Sequence, residues 1–390
     1  MAGLYIHIPF CESRCVYCGF YSTTSLKLRD AYVDALIKEM SLRPILQELE
    51  EGEKIETIYL GGGTPSQLTG EQLIRLFDGI NKYISDINSD MEITMECNPD
   101  DVTDEFCQTL KQLPVNRISM GAQTFSNQRL RFLHRRHNAQ EVKTAVERLR
   151  NIAINNISID LMFGFPGENI EQWKSDIQEA ISLNVEHISA YSLMYEEGTL
   201  LYRLLEQGKI EEIDEETSRN MYETLIQLLT KAGYEHYEIS NFARPGYRSR
   251  HNSSYWHETP YIGIGAAAHS YKRIHKGGQL FVTRSWNINQ LTQYIELIKL
   301  GVLPSEEEEE EELGINSRYN DLIATALRTS DGISIEHVAE EFGEELARKL
   351  ASEAQKHINR GLMKIENDHL SLTPKGLYIS DDIMSDLVIV

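Results

Sequence analysis

Three of the five cysteines of this chain lie within eight residues, as Cys11, Cys15 and Cys18 in a C-x3-C-x2-C spacing. Thiolates are soft ligands that suit iron–sulfur clusters or zinc. A structural zinc site needs four ligands, and His7, four residues before Cys11, supplies a fourth in one interpretation. In the other, a four-iron cubane held by three thiolates leaves one iron with an open coordination position, as a catalytic metal requires. The missing fourth cysteine is then the useful feature of the motif.

Composition and charge limit the classes of function. The chain has 390 residues, 41% of them apolar and 25% charged, and no apolar run approaches the roughly 18 residues of a membrane span. The first residues show no basic segment before a short apolar stretch, so we expect no secretory signal. An odd cysteine count with three clustered indicates metal ligation in a reducing cytoplasm, and not a disulfide framework. The net charge of −22 repels phosphate, so we expect no nucleic-acid partner.

The elements that position the cysteines follow a regular alternation in the first 200 residues. Six short segments rich in apolar residues alternate with longer segments of helical periodicity, and this alternation predicts a parallel sheet, either open or closed into a full or partial barrel. The strands are expected at residues 4–10, 57–63, 92–99, 117–123, 158–167 and 187–194. Helices are expected at Ala31–Leu49, Glu71–Ile84, Gln140–Ile152 and Ile170–Leu183.

Each expected strand ends in residues that are unusual for a core. In a parallel barrel the carboxyl ends of the strands surround one mouth, so residues far apart in sequence converge there. This convergence is the strongest indication of a site that the residues alone give. The strand ends carry the cysteines, Gly61–Thr64, Glu96 with Asn98, Gln123, Asp160, and Tyr191 with Ser192.

The chain resembles a known family along nearly its whole length. The segments YIHIPFCESRCVYC, GGGTPS, ECNPDD, NRISMGAQTF, DLMFGFPG, HISAYSLMYEEGTL, EISNFARPG and GIGAAAHSY are similar to the radical S-adenosylmethionine (SAM) family, in the branch of the oxygen-independent coproporphyrinogen III dehydrogenases and their heme-chaperone relatives. The resemblance implies an α/β fold with a partial (β/α)6 barrel, and a [4Fe–4S] cluster on Cys11, Cys15 and Cys18 whose open iron chelates SAM. It also implies a SAM pocket lined by Tyr5, Gly62, Gly63, Thr64, Glu96, Gln123, Arg135 and Asp160.

Several of these residues have a physical role that can be stated separately. Gly61–Gly63 let backbone N–H groups approach the amino and carboxylate groups of the cofactor, although a tight turn explains them equally. Glu96 accepts hydrogen bonds from an ammonium group or a ribose, or else pairs with Arg117. Asp160 interrupts an apolar strand and needs a partner such as ribose hydroxyls.

Two further side chains complete the expected pocket. Gln123 offers a donor and an acceptor together, which suits a ribose or a carboxylate. Arg135 lies in a basic cluster where a guanidinium can grip a carboxylate bidentately. An exposed helix face is the alternative for Arg135, and Arg136 is the neighbour most easily confused with it.

The position of Phe20 separates two functions within the resembled branch. The coproporphyrinogen dehydrogenases carry a further cysteine two residues after the third and an arm before the cysteine loop. Here that position is Phe20, and only ten residues precede Cys11. The resemblance therefore favours a heme-binding chaperone that passes heme to apo-hemoproteins. The alternative is oxidative decarboxylation of coproporphyrinogen III to protoporphyrinogen IX.

The segment HNSSYW, from His251 to Trp256, fits an HNxxYW pattern that the resemblance associates with heme. His251 would ligate heme iron through an imidazole nitrogen. In the alternative, His251 and Trp256 pack and hydrogen-bond a loop beneath the barrel. In the heme interpretation, Arg244, Arg248 and Arg250 pair with propionates, and Tyr255 and Trp256 stack on the porphyrin.

The chain ends in a segment with a different pattern. Seven consecutive glutamates, Glu306–Glu312, indicate a solvated helix start or linker. Three helices are expected after them, at Asn320–Leu327, Ile335–Phe342 and Leu346–Arg360. A hairpin follows the helices, and this order predicts a winged-helix-like α+β domain. From Ser305 onward, 8 Lys and Arg stand against 20 Asp and Glu, so we expect a lid, a substrate gate or a partner-docking module and no DNA binding. The predicted domains are 1–235, 236–304 and 305–390, and the expected partners are heme, an apo-hemoprotein and an electron donor such as flavodoxin or ferredoxin.

Overall fold

The structure is a computed structural model that describes residues 1–45, 49–50, 52–84, 87–304 and 310–389. Strands and helices alternate through its first half. The strands are β1 (Ala2–Ile8), β2 (Ile55–Gly62), β3 (Glu92–Cys97), β4 (Arg117–Gln123), β5 (Asn156–Phe163) and β6 (His187–Ser192). The helices are α1 (Arg29–Leu42), α2 (Gly70–Tyr83), α3 (Asp104–Leu110), α4 (Asn127–Phe132), α5 (Ala139–Asn151), α6 (Ile170–Ser182), α7 (Leu200–Glu206) and α8 (Glu215–Lys231).

The six strands β1–β6 pair in sequence order and run parallel. The sheet does not close on itself, because β1 also pairs with β9 and β6 with β8. This confirms the predicted partial (β/α)6 barrel. The added elements are β7 (Glu235–Glu238), β8 (Asn241–Ala243), α9 (Arg250–Trp256), β9 (Tyr261–Ile264), β10 (His269–Lys276), β11 (Gln279–Trp286), α10 (Leu291–Lys299) and β12 (Glu310–Glu312).

The alternation of side chains along the strands separates an apolar outer layer from a polar interior. On β1, Leu4, Ile6 and Ile8 are fully buried in the main hydrophobic core. Successive strand residues point to opposite faces, so Tyr5 and His7 turn inward, where Tyr5 stacks on Tyr59 of β2. The other inward residues are mostly buried polar side chains, among them Thr57, Thr94, Arg117, Ser119, Ser158 and His187. The barrel is therefore filled with groups that need partners.

The predicted helices agree with the structure within a few residues, except at the end of α1. The periodicity predicted a helix to Leu49, whereas α1 ends at Leu42. Arg43 adopts an extended conformation, as expected for a residue that precedes a proline, here Pro44. Residues 46–48 of the predicted helix lie outside the described residues.

The C-terminal part has its own hydrophobic core, which includes Tyr319, Ile323, Val338 and Leu350. Its elements follow the order of a winged helix, with Asn367 and Asp368 both at positive φ in the hairpin turn. Of the acidic run, residues 306–309 lie outside the described residues, while Glu310–Glu312 form an edge strand and not the expected helix start or linker. The elements are α11 (Ile315–Ala326), β13 (Ile333–Ser334), α12 (Ile335–Phe342), α13 (Glu344–Asn359), β14 (Met363–Glu366), β15 (His369–Leu372), α14 (Pro374–Leu377) and α15 (Ser380–Leu387).

This C-terminal domain contacts both open edges of the partial barrel. On one side the amide of Ile239 donates to the carbonyl of Arg328 at 3.0 Å. On the other, Arg284 of β11 donates to Asp321 of α11 at 2.7 Å. The domain thus spans the gap between the two ends of the sheet. The exact boundaries 1–235, 236–304 and 305–390 stay a prediction.

Candidate functional site

The carboxyl ends of β1–β5 surround a cavity of about 180 Å³, which we call the cysteine cavity. It brings together ten of the eleven residues assigned to the cluster and SAM, all except Tyr5. The predicted residues that line it are Cys11, Cys15, Cys18, Gly62, Gly63, Thr64, Glu96, Gln123, Arg135 and Asp160.

The cysteine loop has no regular secondary structure and is held by backbone hydrogen bonds to its neighbours. The amide of Cys11 donates to Thr23 at 2.9 Å, and that of Val16 donates to Leu133 at 3.3 Å. The carbonyl of Val16 in turn accepts from Leu201 at 2.9 Å. These bonds fix the loop over the mouth of the barrel, with its three thiols partly exposed.

The thiols have polar neighbours in the cavity. The sulfur of Cys11 lies 3.5 Å from the hydroxyl of Thr64, and Nη1 of Arg135 donates to Cys15 at 3.5 Å. Burial raises the pKa of the Cys11 and Cys18 thiols, so their deprotonation depends on a bound metal.

The donor set fits an iron–sulfur cluster better than a single zinc ion. His7 does not join the thiols, because its ring nitrogens contact the Tyr5 hydroxyl at 3.0 Å and the Tyr21 carbonyl at 3.2 Å. Within the described ranges, no group of three or more His, Cys, Asp or Glu side chains is arranged to hold one metal ion. Cys11, Cys15 and Cys18 line one cavity, and each thiolate of a [4Fe–4S] cluster binds a different iron, so three such ligands need not converge on a single ion.

The glycines at the end of β2 are required by close packing. A Cβ on Gly62 would lie 2.3 Å from the ring of His7, and one on Gly63 would lie 2.7 Å from the backbone of Pro9. Their amides are already used, since Gly62 donates to Glu96 at 3.1 Å and Gly63 to Ile8 at 2.9 Å. Both N–H groups thus have protein partners here, and their contact with a cofactor stays a prediction, while the glycines leave space beside it.

Two partly buried carboxyl groups face the cavity. Glu96 accepts from the Tyr59 hydroxyl at 2.7 Å, and burial raises its pKa to about 7. Burial also raises the pKa of Asp160 to about 6, although hydrogen bonds from Ser189 and Ser119 oppose that shift. Both groups therefore change charge close to neutral pH and are available for the hydroxyl or ammonium groups of a ligand.

Backbone irregularity places Gln123 at the cavity. A β-bulge between Gly121 and Gln123 interrupts the pairing of β4 with β5, and Gln123 adopts a left-handed φ of 64°. Bulges of this kind re-aim a side chain at the end of a strand. Gln123 is buried, and its amide nitrogen lies against Gly121.

The structure separates Arg135 from its neighbour Arg136. Nη2 of Arg135 donates to the side chain of Asn98 and to the carbonyl of Gly121, both at 2.7 Å. Arg136 instead forms ion pairs with Glu12, Asp100 and Asp101. Arg135 is thus the guanidinium with neutral partners, and its positive charge remains available to an anionic ligand.

Sequence reasoning missed Tyr17 and Ser119, which also line the cavity. Ser119 could have been found from its inward position, two residues before Gly121.

Tyr5 and His251 lie together below the cysteine cavity, and neither lines it. Their rings stack with centroids 6.4 Å apart. His251 is 1% exposed, and its ring nitrogens contact the hydroxyls of Thr57 at 2.8 Å and Tyr255 at 3.0 Å. This is the arrangement that the packing alternative describes, so heme ligation by His251 would require α9 to move and stays a prediction.

The residues that flank His251 divide into two groups. Arg248 and Arg250 form ion pairs with Glu235, Asp331 and Glu56, and Arg244 donates to Asn184, so the structure does not bring these arginines to a common site. Tyr255 and Trp256 do line a second cavity, of about 470 Å³, which we call the aromatic cavity. Its walls come from α9, β9, β10, β11, β12 and α11, and its other aromatic residues are Tyr261, His269, Tyr271 and Trp286.

Comparison with known proteins agrees with this geometry. Residues 5–180 match the radical SAM superfamily, and residues 316–379 match the HemN C-terminal domain. A solved structure of coproporphyrinogen III oxidase (HemN) from Escherichia coli, a radical SAM enzyme, has the same fold, with a TM-score of 0.82 and 21% identity over 99% of this chain and 90% of that chain. No helix in the described part of the chain is long and apolar enough to cross a membrane.

Curated relatives extend the match to the full chain. The Bacillus subtilis protein named heme chaperone HemW is 36% identical over 386 residues, which are 98% of each chain. The Escherichia coli protein of the same name is 37% identical over 288 residues, which are 73% of each chain. With this identity over its whole length, a radical SAM region at the cysteine cavity and a HemN C-terminal domain, the chain belongs to the HemW family.

Proposed function

We propose that this protein is a cytoplasmic heme chaperone that binds heme and transfers it to an apo-hemoprotein. The observation that carries the proposal is the 36% identity to a protein named heme chaperone over 98% of both chains. Phe20 stands where the coproporphyrinogen dehydrogenases carry a further cysteine, and its side chain is 71% exposed at the rim of the cysteine cavity. Both features favour a chaperone over oxidative decarboxylation of coproporphyrinogen III.

The cysteine cavity supplies the second part of the proposal. Cys11, Cys15 and Cys18 would hold a [4Fe–4S] cluster, which would supply single-electron chemistry toward SAM. The residues around it bind and orient the SAM: Gly62, Gly63, Thr64, Glu96, Gln123, Arg135 and Asp160.

Charge and burial suggest what each of these side chains does. The guanidinium of Arg135 pairs with the carboxylate of the cofactor. Glu96 and Asp160 accept hydrogen bonds from its ammonium and ribose hydroxyl groups. Tyr5 acts indirectly, by packing against Tyr59, which holds Glu96.

Electron supply and heme delivery require protein partners. A flavodoxin or ferredoxin is the proposed electron donor, and it would dock where the cysteine loop and Phe20 reach the surface. An apo-hemoprotein is the proposed acceptor.

Heme transfer by the reconstituted full-length protein tests the proposed function. We expect the protein to bind one or more equivalents of ferric heme anaerobically and to pass it to apomyoglobin, followed by the absorbance of the product. Repeated turnover of coproporphyrinogen to protoporphyrinogen with SAM and an electron donor, with release of carbon dioxide, would instead establish the enzyme alternative.

Iron and sulfide analysis tests the cluster separately. We expect about four irons and four sulfides per chain in the wild type and nearly none in Cys11→Ser, because three thiolates are the only protein ligands proposed. Cys107→Ser is the matched control, since Cys107 is buried in α3 and does not line the cysteine cavity. Zinc in place of iron, or equal iron in both variants, would contradict the assignment.

A further inference from the structure

We propose that heme binds in the aromatic cavity, with the imidazole of His269 as an axial ligand of its iron. This inference rests on the proposed heme function and assigns it a place in the fold. It differs from the sequence prediction, in which His251 is the ligand.

The aromatic cavity has the size and lining that a flat apolar ligand requires. Its volume of about 470 Å³ falls within the roughly 300–1,000 Å³ of small-molecule and cofactor sites. The rings of Tyr261 and Tyr271 lie 6.2 Å apart and nearly parallel, while Tyr255 meets Tyr261 edge-on at 4.8 Å. Trp256 and Trp286 extend the lining on two sides. Such surfaces stack well on a porphyrin.

His269 is the imidazole that lines this cavity. It is the first residue of β10, with an exposed side chain, and its ring stacks on Trp286 with centroids 5.9 Å apart and planes 29° apart. Imidazole is a common axial ligand of heme iron. His251, in contrast, is 1% exposed and reaches the cavity only through its contact with Tyr255.

The backbone around His269 is held by a buried carboxyl group. Glu39 is fully buried and accepts from the amide of Gly265 at 2.9 Å, from Asn287 at 2.8 Å and from Tyr294 at 2.5 Å. Gly265 begins the turn that leads into His269, and Asn287 directly follows Trp286. The same network therefore fixes both partners of the stacked pair, as expected for a preorganised ligand site.

The charges of the lining fit a ligand that must be released. Glu258 is paired with Arg273 at 2.7 Å and Asp321 with Arg284 at 2.7 Å. Glu311 also lines the cavity, and Arg284 is the one cation among the described lining residues, so a heme propionate would compete with Asp321 for its guanidinium. Such competition weakens binding, which suits transfer to an acceptor.

Titration of ferric heme into the full-length protein with its cluster reconstituted tests this assignment. For His269→Ala we expect at least tenfold weaker binding and loss of the low-spin signal of histidine ligation in the EPR spectrum. Free imidazole should restore that signal, which mere loss of packing would not allow. His275→Ala is the matched control, because His275 lies on the same strand but is exposed and paired with Glu50. We expect it to match the wild type.

A second variant tests the cavity independently of the ligand. Thr325 lines the wall contributed by α11, and Thr325→Trp should fill the space and weaken heme binding at least tenfold, whereas Thr325→Ser should not. If His269→Ala keeps the affinity and spectrum of the wild type, or if His251→Ala alone abolishes the signal, the assignment is wrong. Failure of the wild type to bind heme would instead overturn the proposed function itself.

Discussion

The cysteine cavity and the aromatic cavity are built in different ways. The first lies at the carboxyl ends of strands that pair in sequence order, so each wall is contributed by the next strand of a regular repeat. The second lies between α9, the β10–β11 hairpin and α11, whose positions depend on packing between distant parts of the chain. The repeat of strands and helices therefore allows the cysteine cavity to be predicted from the sequence. The aromatic cavity follows no such repeat and could not be predicted in this way.

The largest expected effect concerns the arginine pair at the cysteine cavity. Arg135→Gln should weaken SAM binding about 30-fold, or about 2 kcal/mol, because a charge-assisted hydrogen bond is lost. Heme binding should change less than threefold if the two cavities are separate. Calorimetric titration of each ligand into the reconstituted protein measures both values.

Arg136→Gln is the control for this comparison, since Arg136 is engaged by three carboxylates. SAM affinity within threefold of the wild type is expected. Equal losses in both variants, with unchanged iron content, would show that the cluster of positive charge matters and that the position of Arg135 does not.

A smaller effect is expected from the carboxyl group of Glu96 in the apoprotein. Its pKa is raised to about 7 by burial, so the folded state binds more protons than the unfolded state between about pH 4.5 and 7. The free energy of unfolding should therefore fall as pH rises through this range, by about 1–2 kcal/mol from this group. Glu96→Gln should flatten that part of the profile, as measured by urea unfolding at several pH values. An unchanged slope would mean that Glu96 is ionised throughout.

The smallest effect is expected from the hydrogen bonds to Glu39, which hold the backbone beside the aromatic cavity. Tyr294→Phe removes one hydrogen bond to Glu39 and should cost about 1 kcal/mol of folding free energy. Because that network holds the turn before His269, heme affinity should fall about threefold while SAM affinity stays constant. A larger change in SAM affinity than in heme affinity would contradict the separation of the two supports.

The sequence predicted the parallel core and the residues at its mouth because strand ends in such a sheet must converge. It did not predict the depth of Tyr5, because convergence holds only for the last residues of a strand. Tyr5 lies three residues before the end of β1, so its side chain is one layer deeper, among the polar residues of the interior. Strand alternation alone, without register, does not give this depth.

The region after residue 236 was harder to predict for a related reason. The HNxxYW pattern places His251 and Tyr255 one helical turn apart, on one face of α9, but only the packing of α9 beneath β1 and β2 decides that His251 is buried. His269 attracted no prediction, since its partner Trp286 is seventeen positions away across a hairpin. The edge strand Glu310–Glu312 was likewise unexpected, because a run of glutamates disfavours strands unless a partner strand supplies the pairing.

The hydroxyl of Tyr32 donates to the carbonyl of His7 at 2.8 Å and accepts from the amide of Ala266 at 3.0 Å. One oxygen atom therefore joins the end of β1, which leads into the cysteine loop, to the turn that precedes His269. Loss of this hydroxyl would therefore remove one hydrogen bond from each of the two segments.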